Sequence, residues 1–179
     1  MKLGKVRLGS TRDGRQGIKV ARWVMENAAE YEGGLRFELV DLKEINLPYM
    51  NEPVPAKESR GYKYEHTKNW SRIIAGADGF IIVTPEYNHG YTGVLKNALD
   101  YLYKEWVGKP MGLVGYGSRG AAASIAKLRE VLKSLGLRTL ETQVGISGIW
   151  EAFDDNDRLK EEKITGSLPE LFAALEKAM

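Results

Sequence analysis

The sequence predicts an α/β fold built on an open, doubly wound parallel sheet of five strands, and two observations carry that expectation. Along the 179 residues, short apolar runs alternate with segments of helical period, and Gly, Pro, Asn or Asp marks each junction; this is how consecutive βα units read. The runs Phe80–Val83 and Met111–Tyr116 are too short for helices and almost wholly apolar, as strands covered on both faces must be.

In chain order, Lys2–Leu8 is the first strand. It departs from the pattern, because a central parallel strand should be nearly all apolar and Lys5 and Arg7 put two charges on one of its faces. The residue pattern alone offers no account of them. Ile18, Ala21, Met25 and Ala28 then recur at helical spacing, and Phe37–Leu42 is a weaker second strand. Lys43–Gly61 has no period and contains Pro48, Pro53 and Pro55. A segment of that length either covers a site, meets a second subunit or is a plain surface excursion. A helix around Thr67, Trp70 and Ile74 leads into the third strand, and Val94, Leu95, Ala98, Leu99 and Leu102 stripe the helix after it. Met111–Tyr116 is the fourth strand, Ile125, Leu128, Leu132 and Leu135 mark the next helix, and Leu137–Val144 is the fifth strand. Leu168, Leu171, Phe172, Leu175 and Met179 close the chain with a last helix. Residues 1–179 read as one domain, within the roughly 100 to 200 residues that one core commonly supports.

Composition narrows the function. The chain carries 26 Lys plus Arg and 24 Asp plus Glu, a net charge of +2, with the signs interspersed; affinity for nucleic acid needs a clustered basic face instead. Zero cysteines exclude disulfides, thiolate metal sites, iron–sulfur clusters and a cysteine nucleophile. Redox chemistry would have to come from a bound cofactor. No run approaches the roughly 20 apolar residues of a membrane helix, and Met1–Ser10 lacks a signal-peptide apolar core. No membrane partner and a cytoplasmic location are therefore expected.

In a doubly wound sheet, ligands bind beyond the carboxyl ends of the strands where the strand order reverses, which directs attention to the loops after strands one, three and four. The first is Gly9-Ser10-Thr11-Arg12-Asp13-Gly14-Arg15-Gln16-Gly17. It offers backbone N–H groups, hydroxyls and guanidinium donors at a helix N-terminus, where the macrodipole favours an anion; the plainer reading is a polar turn that caps a helix. It is not a Walker A loop, having no Lys-Ser or Lys-Thr at the required spacing. The fourth-strand loop, Gly115-Tyr116-Gly117-Ser118-Arg119-Gly120, is a literal G-x-G-x-x-G. That fingerprint normally occupies the first βα turn, so a dinucleotide-binding dehydrogenase, with Glu141 as its ribose-reading acid, is demoted. A glycine-rich edge beside a planar ligand fits better. In the third loop, Thr84-Pro85-Glu86-Tyr87-Asn88-His89-Gly90-Tyr91-Thr92-Gly93, Pro85 stops the strand and a helix follows at once. Polar edges for a heteroaromatic ring then face the crevice, or the segment is a structural turn. No catalytic acid, base or metal ligand is assigned: His89 stands alone, His66 lies in a polar helix start, and Glu86 and Asp100 are unpaired. Tyr101, Tyr103 and Trp106 read as core or subunit contact.

Gly9-Ser10-Thr11-Arg12, Pro85-Glu86-Tyr87-Asn88 with Gly93-Val94-Leu95-Lys96-Asn97-Ala98-Leu99-Asp100, and Gly117-Ser118-Arg119-Gly120 together resemble the NADPH-dependent FMN reductase family, in order and spacing, across roughly residues 1 to 145. The resemblance implies a flavodoxin-like three-layer α/β/α sandwich and FMN as cofactor. It also implies NADPH or NADH as co-substrate, an acceptor such as free flavin, a quinone, an azo compound or a metal oxyanion, and a homodimer or homotetramer. Carried over residue by residue, it implies that Ser10, Thr11, Arg12, Gln16 and Gly17 hold the FMN phosphate. Pro85, Glu86, Tyr87 and Asn88 would meet the flavin ring and ribityl chain, and Gly117, Ser118 and Gly120 the other edge of the isoalloxazine. Two positions depart from the family's usual pattern, Ala121 where a second glycine is usual and Thr92 where a proline is frequent; Ala121 bears on how closely the ring approaches that backbone. The alternative is an FMN-binding electron carrier or sensor of the same fold that does not oxidise NAD(P)H. A loop carrying Arg12 on a slightly basic chain leans toward the reductase.

Overall fold

A computed structural model describes all residues, 1–179. The parallel sheet consists of β1 (Lys2–Leu8), β2 (Leu35–Asp41), β3 (Gly79–Pro85), β4 (Pro110–Tyr116) and β5 (Arg138–Ile146), in the order β2-β1-β3-β4-β5. The expected count of five is one short. A sixth strand, β6 (Ile164–Thr165), pairs antiparallel with the end of β5, and two residues are too few to leave a periodic trace. Helices α1 (Gly17–Glu30) and α6 (Leu168–Ala178) pack on one face; α3 (Glu65–Ala75), α4 (Gly93–Asp100) and α5 (Ala122–Ser134) pack on the other.

The side-chain alternation of β3 explains its unbroken apolar run. Ile81 and Val83 join Val6, Leu8, Val114 and Val144 against Val20 and Val24 of α1 and Leu171 and Phe172 of α6. Phe80 and Ile82 join Met111 and Leu113 against Trp70, Leu95, Leu99 and Leu128. Both faces of the strand are buried, so its run from Phe80 to Val83 is apolar throughout, and the one polar side chain, Thr84 at its carboxyl end, donates its hydroxyl to the Pro85 carbonyl. The stripe expected to run to Leu102 ends earlier, because α4 stops at Asp100 and Leu102 is buried in the turn beyond it.

Segment 43–61 is not a free excursion. It starts on a single helical turn, α2 (Leu42–Ile45), whose N-cap Asp41 accepts from the Lys43 amide. Asn97 on α4 then pins it from both directions, donating to the Pro48 carbonyl at 2.7 Å and accepting from the Met50 amide at 2.9 Å. The Tyr101 hydroxyl also reaches the Tyr49 carbonyl, at 3.1 Å.

The charges of β1 find partners that lie far away in sequence. Lys5 bonds Glu38 on the neighbouring β2 at 2.7 Å. Arg7 has no exposed surface, and its guanidinium lies 4.4 Å from the Trp106 ring centroid, 4.8 Å from that of Phe80 and 5.9 Å from that of Trp70. Register places Arg7 beside Ile82, yet its head reaches Phe80 and Met111 at the amino ends of β3 and β4. The charge therefore points away from the carboxyl edge of the sheet. Its polar contact is thin: Nη2 meets the Met111 sulfur at 3.7 Å, and Nε and Nη1 have no acceptor. Burial lowers the Arg7 pKa to about 9, which still leaves the group charged at neutral pH. Aromatic faces return roughly 2 kcal/mol to a desolvated cation, against several kcal/mol for removing an ion from water. Arg7→Met should therefore raise the unfolding free energy by about 1 to 4 kcal/mol, while Arg7→Ala should lower it by leaving a cavity. Urea denaturation measures both, and a Met variant less stable than the parent would show that the rings outweigh the desolvation.

Candidate functional site

The strand order sets where a site can form. β2 and β3 pair with opposite edges of β1, so the chain reverses direction across the sheet between β1 and β3 and leaves a crevice at their carboxyl ends. The loops after β1, β3 and β4 meet there, together with the turn that follows β5, around one cavity. Its lining comes from Arg12, Arg15 and Gln16, from Pro85, Glu86 and Tyr87, from Tyr116, Gly117 and Ser118, and from Ile149 and Trp150.

The first loop is rich in unpaired donors. Gly9 and Arg15 donate their amides to the carbonyls of Val83 and Arg12, whereas the amides of Ser10, Thr11, Arg12, Asp13, Gly14, Gln16 and Gly17 have no acceptor in the protein. Helix α1 starts here with no side-chain cap and no acid in its first turn. Orphan N–H groups at a helix N-terminus constitute an anion site. Arg12 is exposed and has no ionic partner, while Arg15 is committed to both carboxylate oxygens of Asp41 and to the Ser10 carbonyl. Thr92, at a frequent proline position, caps α4 by accepting from Leu95 at 3.2 Å and donates its hydroxyl to the Gly9 carbonyl. That contact ties the start of the first loop to the third.

The third loop is a tight hairpin. Tyr87 and Gly90 exchange both backbone hydrogen bonds, at 2.8 and 3.0 Å, around Asn88 and His89, whose φ angles are +51° and +61°. Two successive left-handed residues make a type I′ turn. Asn88 is exposed at its tip and does not line the cavity. Glu86 faces the cavity, but its carboxylate accepts from the Ala123 and Ser124 amides at 3.0 and 3.1 Å. It caps α5 from a neighbouring loop, because the residue at the N-cap itself, Ala121, has no capping side chain and sits at φ +58°.

The remaining expected residues divide. Ser10 is buried, its hydroxyl 3.0 Å from that of Tyr87, a bridge between the first and third loops. Thr11 turns to a different, larger space of about 510 Å³ beside Leu47, Tyr49 and Val94. A Cβ at Gly17 would collide with the Tyr116 hydroxyl, so the glycine lets α1 sit close on that ring. Gly120, at φ +67°, lies against Gly145 of β5 and outside the cavity. Gly117 and Ser118 line it and are fixed to the turn after β5: the Gly117 carbonyl accepts from Ile149 and the Ser118 carbonyl from Gly148, both at 3.2 Å.

Four lining residues are not among the expected site residues: Arg15 and Tyr116, which stand inside the first and fourth loops, and Ile149 and Trp150, which stand in no motif. Tyr116 reads as the last apolar residue of β4, yet its buried hydroxyl has no partner at hydrogen-bond geometry, with the Ser10 side chain as its polar neighbour. Burial raises its pKa above the ordinary tyrosine range, which keeps the phenol protonated and a donor at neutral pH. An orphan hydroxyl and a free guanidinium on the cavity, with the unpaired amides of the loop that supplies Arg12 and Gln16 to it, are the donors that an anionic, phosphate-bearing group such as FMN needs. The cavity's free volume is about 80 Å³, and the Ser10–Tyr87 hydrogen bond joins two of the surrounding loops beside it. A typical buried hydrogen bond contributes about 1 kcal/mol, and the Tyr116 hydroxyl makes none. Tyr116→Phe should accordingly leave the unfolding free energy of the ligand-free chain unchanged or slightly raised. A loss near 1 kcal/mol in urea denaturation would reveal a partner for the hydroxyl.

Comparison with known proteins agrees with this geometry. The chain is 42% identical over 141 residues to an NAD(P)H-dependent FMN reductase of Schizosaccharomyces pombe, covering 78% of this chain and 70% of that one. It is 32% identical over 133 residues to an NADPH azoreductase of a Bacillus species, covering 73% and 68%. Among solved structures, the flavoenzyme NAD(P)H:(acceptor) oxidoreductase FerB of Paracoccus denitrificans superposes with a TM-score of 0.66 at 28% identity, over 91% of this chain and 88% of that one. Residues 1–151 match the family described as NADPH-dependent FMN reductase, and the chain belongs to that family.

Proposed function

We propose that the cavity seats FMN and that the chain is an oxidoreductase taking a hydride from NAD(P)H and passing electrons to a small acceptor. Free flavin, a quinone, an azo compound or a metal oxyanion would serve. The observation that carries the reading is the row of unpaired amides at Ser10–Gly14, Gln16 and Gly17 at the mouth of α1, with Arg12 free beside it. In this reading one unit spanning residues 1–179 binds one FMN.

Those amides and the Arg12 guanidinium hold the phosphate, and the Ser10 hydroxyl joins them. Pro85, the backbone of Glu86, and Tyr87 border the ring on one side; Gly117 and Ser118 border it on the other. When bound, FMN supplies the redox chemistry, accepting a hydride and releasing two electrons. The protein's part is to fix geometry, which for stacked ring-to-ring transfer matters more than an acid or base. No side chain is assigned a proton transfer. Glu86 is the only carboxylate on the cavity; its Oε2 accepts from two α5 amides and its Oε1 lies 3.6 Å from His89 Nδ1. The names of the relatives favour a reductase over an electron carrier of the same fold.

The same reading includes a homodimer or homotetramer and a cytoplasmic location. Tyr49 and Val54 on segment 43–61, 92% and 44% exposed, are apolar side chains that a second subunit would cover. Light scattering coupled to size exclusion tests this; a monomer at all concentrations would remove it. Arg12→Ala, losing a charge-assisted phosphate contact, should weaken FMN binding by about 1.5 to 3 kcal/mol. Unchanged affinity in a flavin titration would take Arg12 out of the site. Anaerobic NADPH should bleach the flavin of the loaded protein, and a spectrum untouched by NADPH and NADH alike would contradict the reductase reading.

A further inference from the structure

Trp150 has no role in anything described so far, and its setting is unusual for a tryptophan. The indole is 72% exposed, although leaving so large an apolar ring in water is costly. Trp70 and Trp106, by contrast, are wholly buried in the core. The backbone that carries Trp150 is firmly held. Gly148 and Ile149 donate to Ser118 and Gly117, Glu151 donates back to Gly148 at 2.9 Å, and the flanking Ile149 and Ala152 are 4% and 0% exposed. A rigid turn, bonded directly to the β4–α5 loop, thus presents an indole that packs on little else and lines the same cavity as Arg12 and Tyr87.

The cavity thus combines two kinds of group: the first loop brings the guanidinium-bearing Arg12 and Arg15, and the third loop, the end of β4 and the turn after β5 bring the aromatic rings of Tyr87, Tyr116 and Trp150. A planar heteroaromatic ring attached to a phosphate has a counterpart for each. We propose that Trp150 is a binding residue for the flavin ring itself, its indole covering the isoalloxazine from the turn after β5. The proposal rests on the FMN reading and adds to it a wall from outside the three motif-bearing loops.

The test is a titration of the purified full-length chain with FMN and with riboflavin, which keeps the ring and lacks the phosphate. An aromatic contact with a desolvated ring corresponds to roughly a tenfold change in binding. Trp150→Ala should raise the dissociation constants of both flavins about tenfold and restore fluorescence to the bound flavin, since a contacting indole quenches it. Trp150→Phe should recover most of the affinity. Because the indole packs on little in the ligand-free protein, the melting temperature of the unloaded Ala variant should stay within about 1 °C of the parent. Arg12→Ala is the control for the other end and should weaken FMN while sparing riboflavin. Parental affinity for both flavins in Trp150→Ala, a loss confined to FMN, or a lowered melting temperature of several degrees would each overturn the role of Trp150. A parent chain that binds neither flavin would instead overturn the FMN reading beneath it.

Discussion

The site exists because β1 pairs with β2 on one edge and with β3 on the other. With its neighbours reached by crossings in opposite directions, the loops leaving β1 and β3 open a crevice at the carboxyl edge of the sheet, and seven amides between Ser10 and Gly17 find no acceptor in the protein. Unpaired amides in a protein are destabilising when buried and tolerable when an external acceptor or water completes them. Here they belong to the loop whose Arg12, Arg15 and Gln16 line a crevice that also holds an unpartnered phenol. An anion binding there would satisfy several donors at once.

Around that opening the structure uses hydrogen bonds to keep the loops in place while ligand-free. Thr92 holds the first loop, Glu86 holds the start of α5, Asn97 holds segment 43–61, and the turn after β5 is bonded to Gly117 and Ser118. Motif residues that read as ligand contacts are in several cases the struts of the loops that make the contacts. Glu86 is the clearest example: its position near the ring is expected from the motif, but its charge serves a helix terminus. The Ser10–Tyr87 hydrogen bond, like the Thr92–Gly9 contact, joins the first loop to the third.

The fold was legible where periodicity was strong. Phe80–Val83 and Met111–Tyr116 are apolar because both of their faces are covered, and that constraint acts on every residue of the run. β6 and α2 escaped because two and four residues are shorter than any period. The charges of β1 were unreadable for a different reason: the partners of Arg7 are Trp70, Phe80 and Trp106, brought to it by three separate elements. Site residues divided in the same way. Arg12, Gln16, Pro85, Tyr87, Gly117 and Ser118 stand in loops whose glycines and prolines advertise them, and they line the cavity. Tyr116 stands both at the end of a strand and inside the fourth loop, and Trp150 lies in a stretch without period; only the folded chain shows that the two border the same space.

Amide hydrogen exchange on the full-length chain, read residue by residue with and without FMN, tests the central claim most directly. Exchange should be fast across Ser10–Gly14, Gln16 and Gly17 in the ligand-free protein and should slow markedly there once FMN is added. Protection that leaves these amides untouched while FMN is demonstrably bound would mean that the phosphate lies elsewhere.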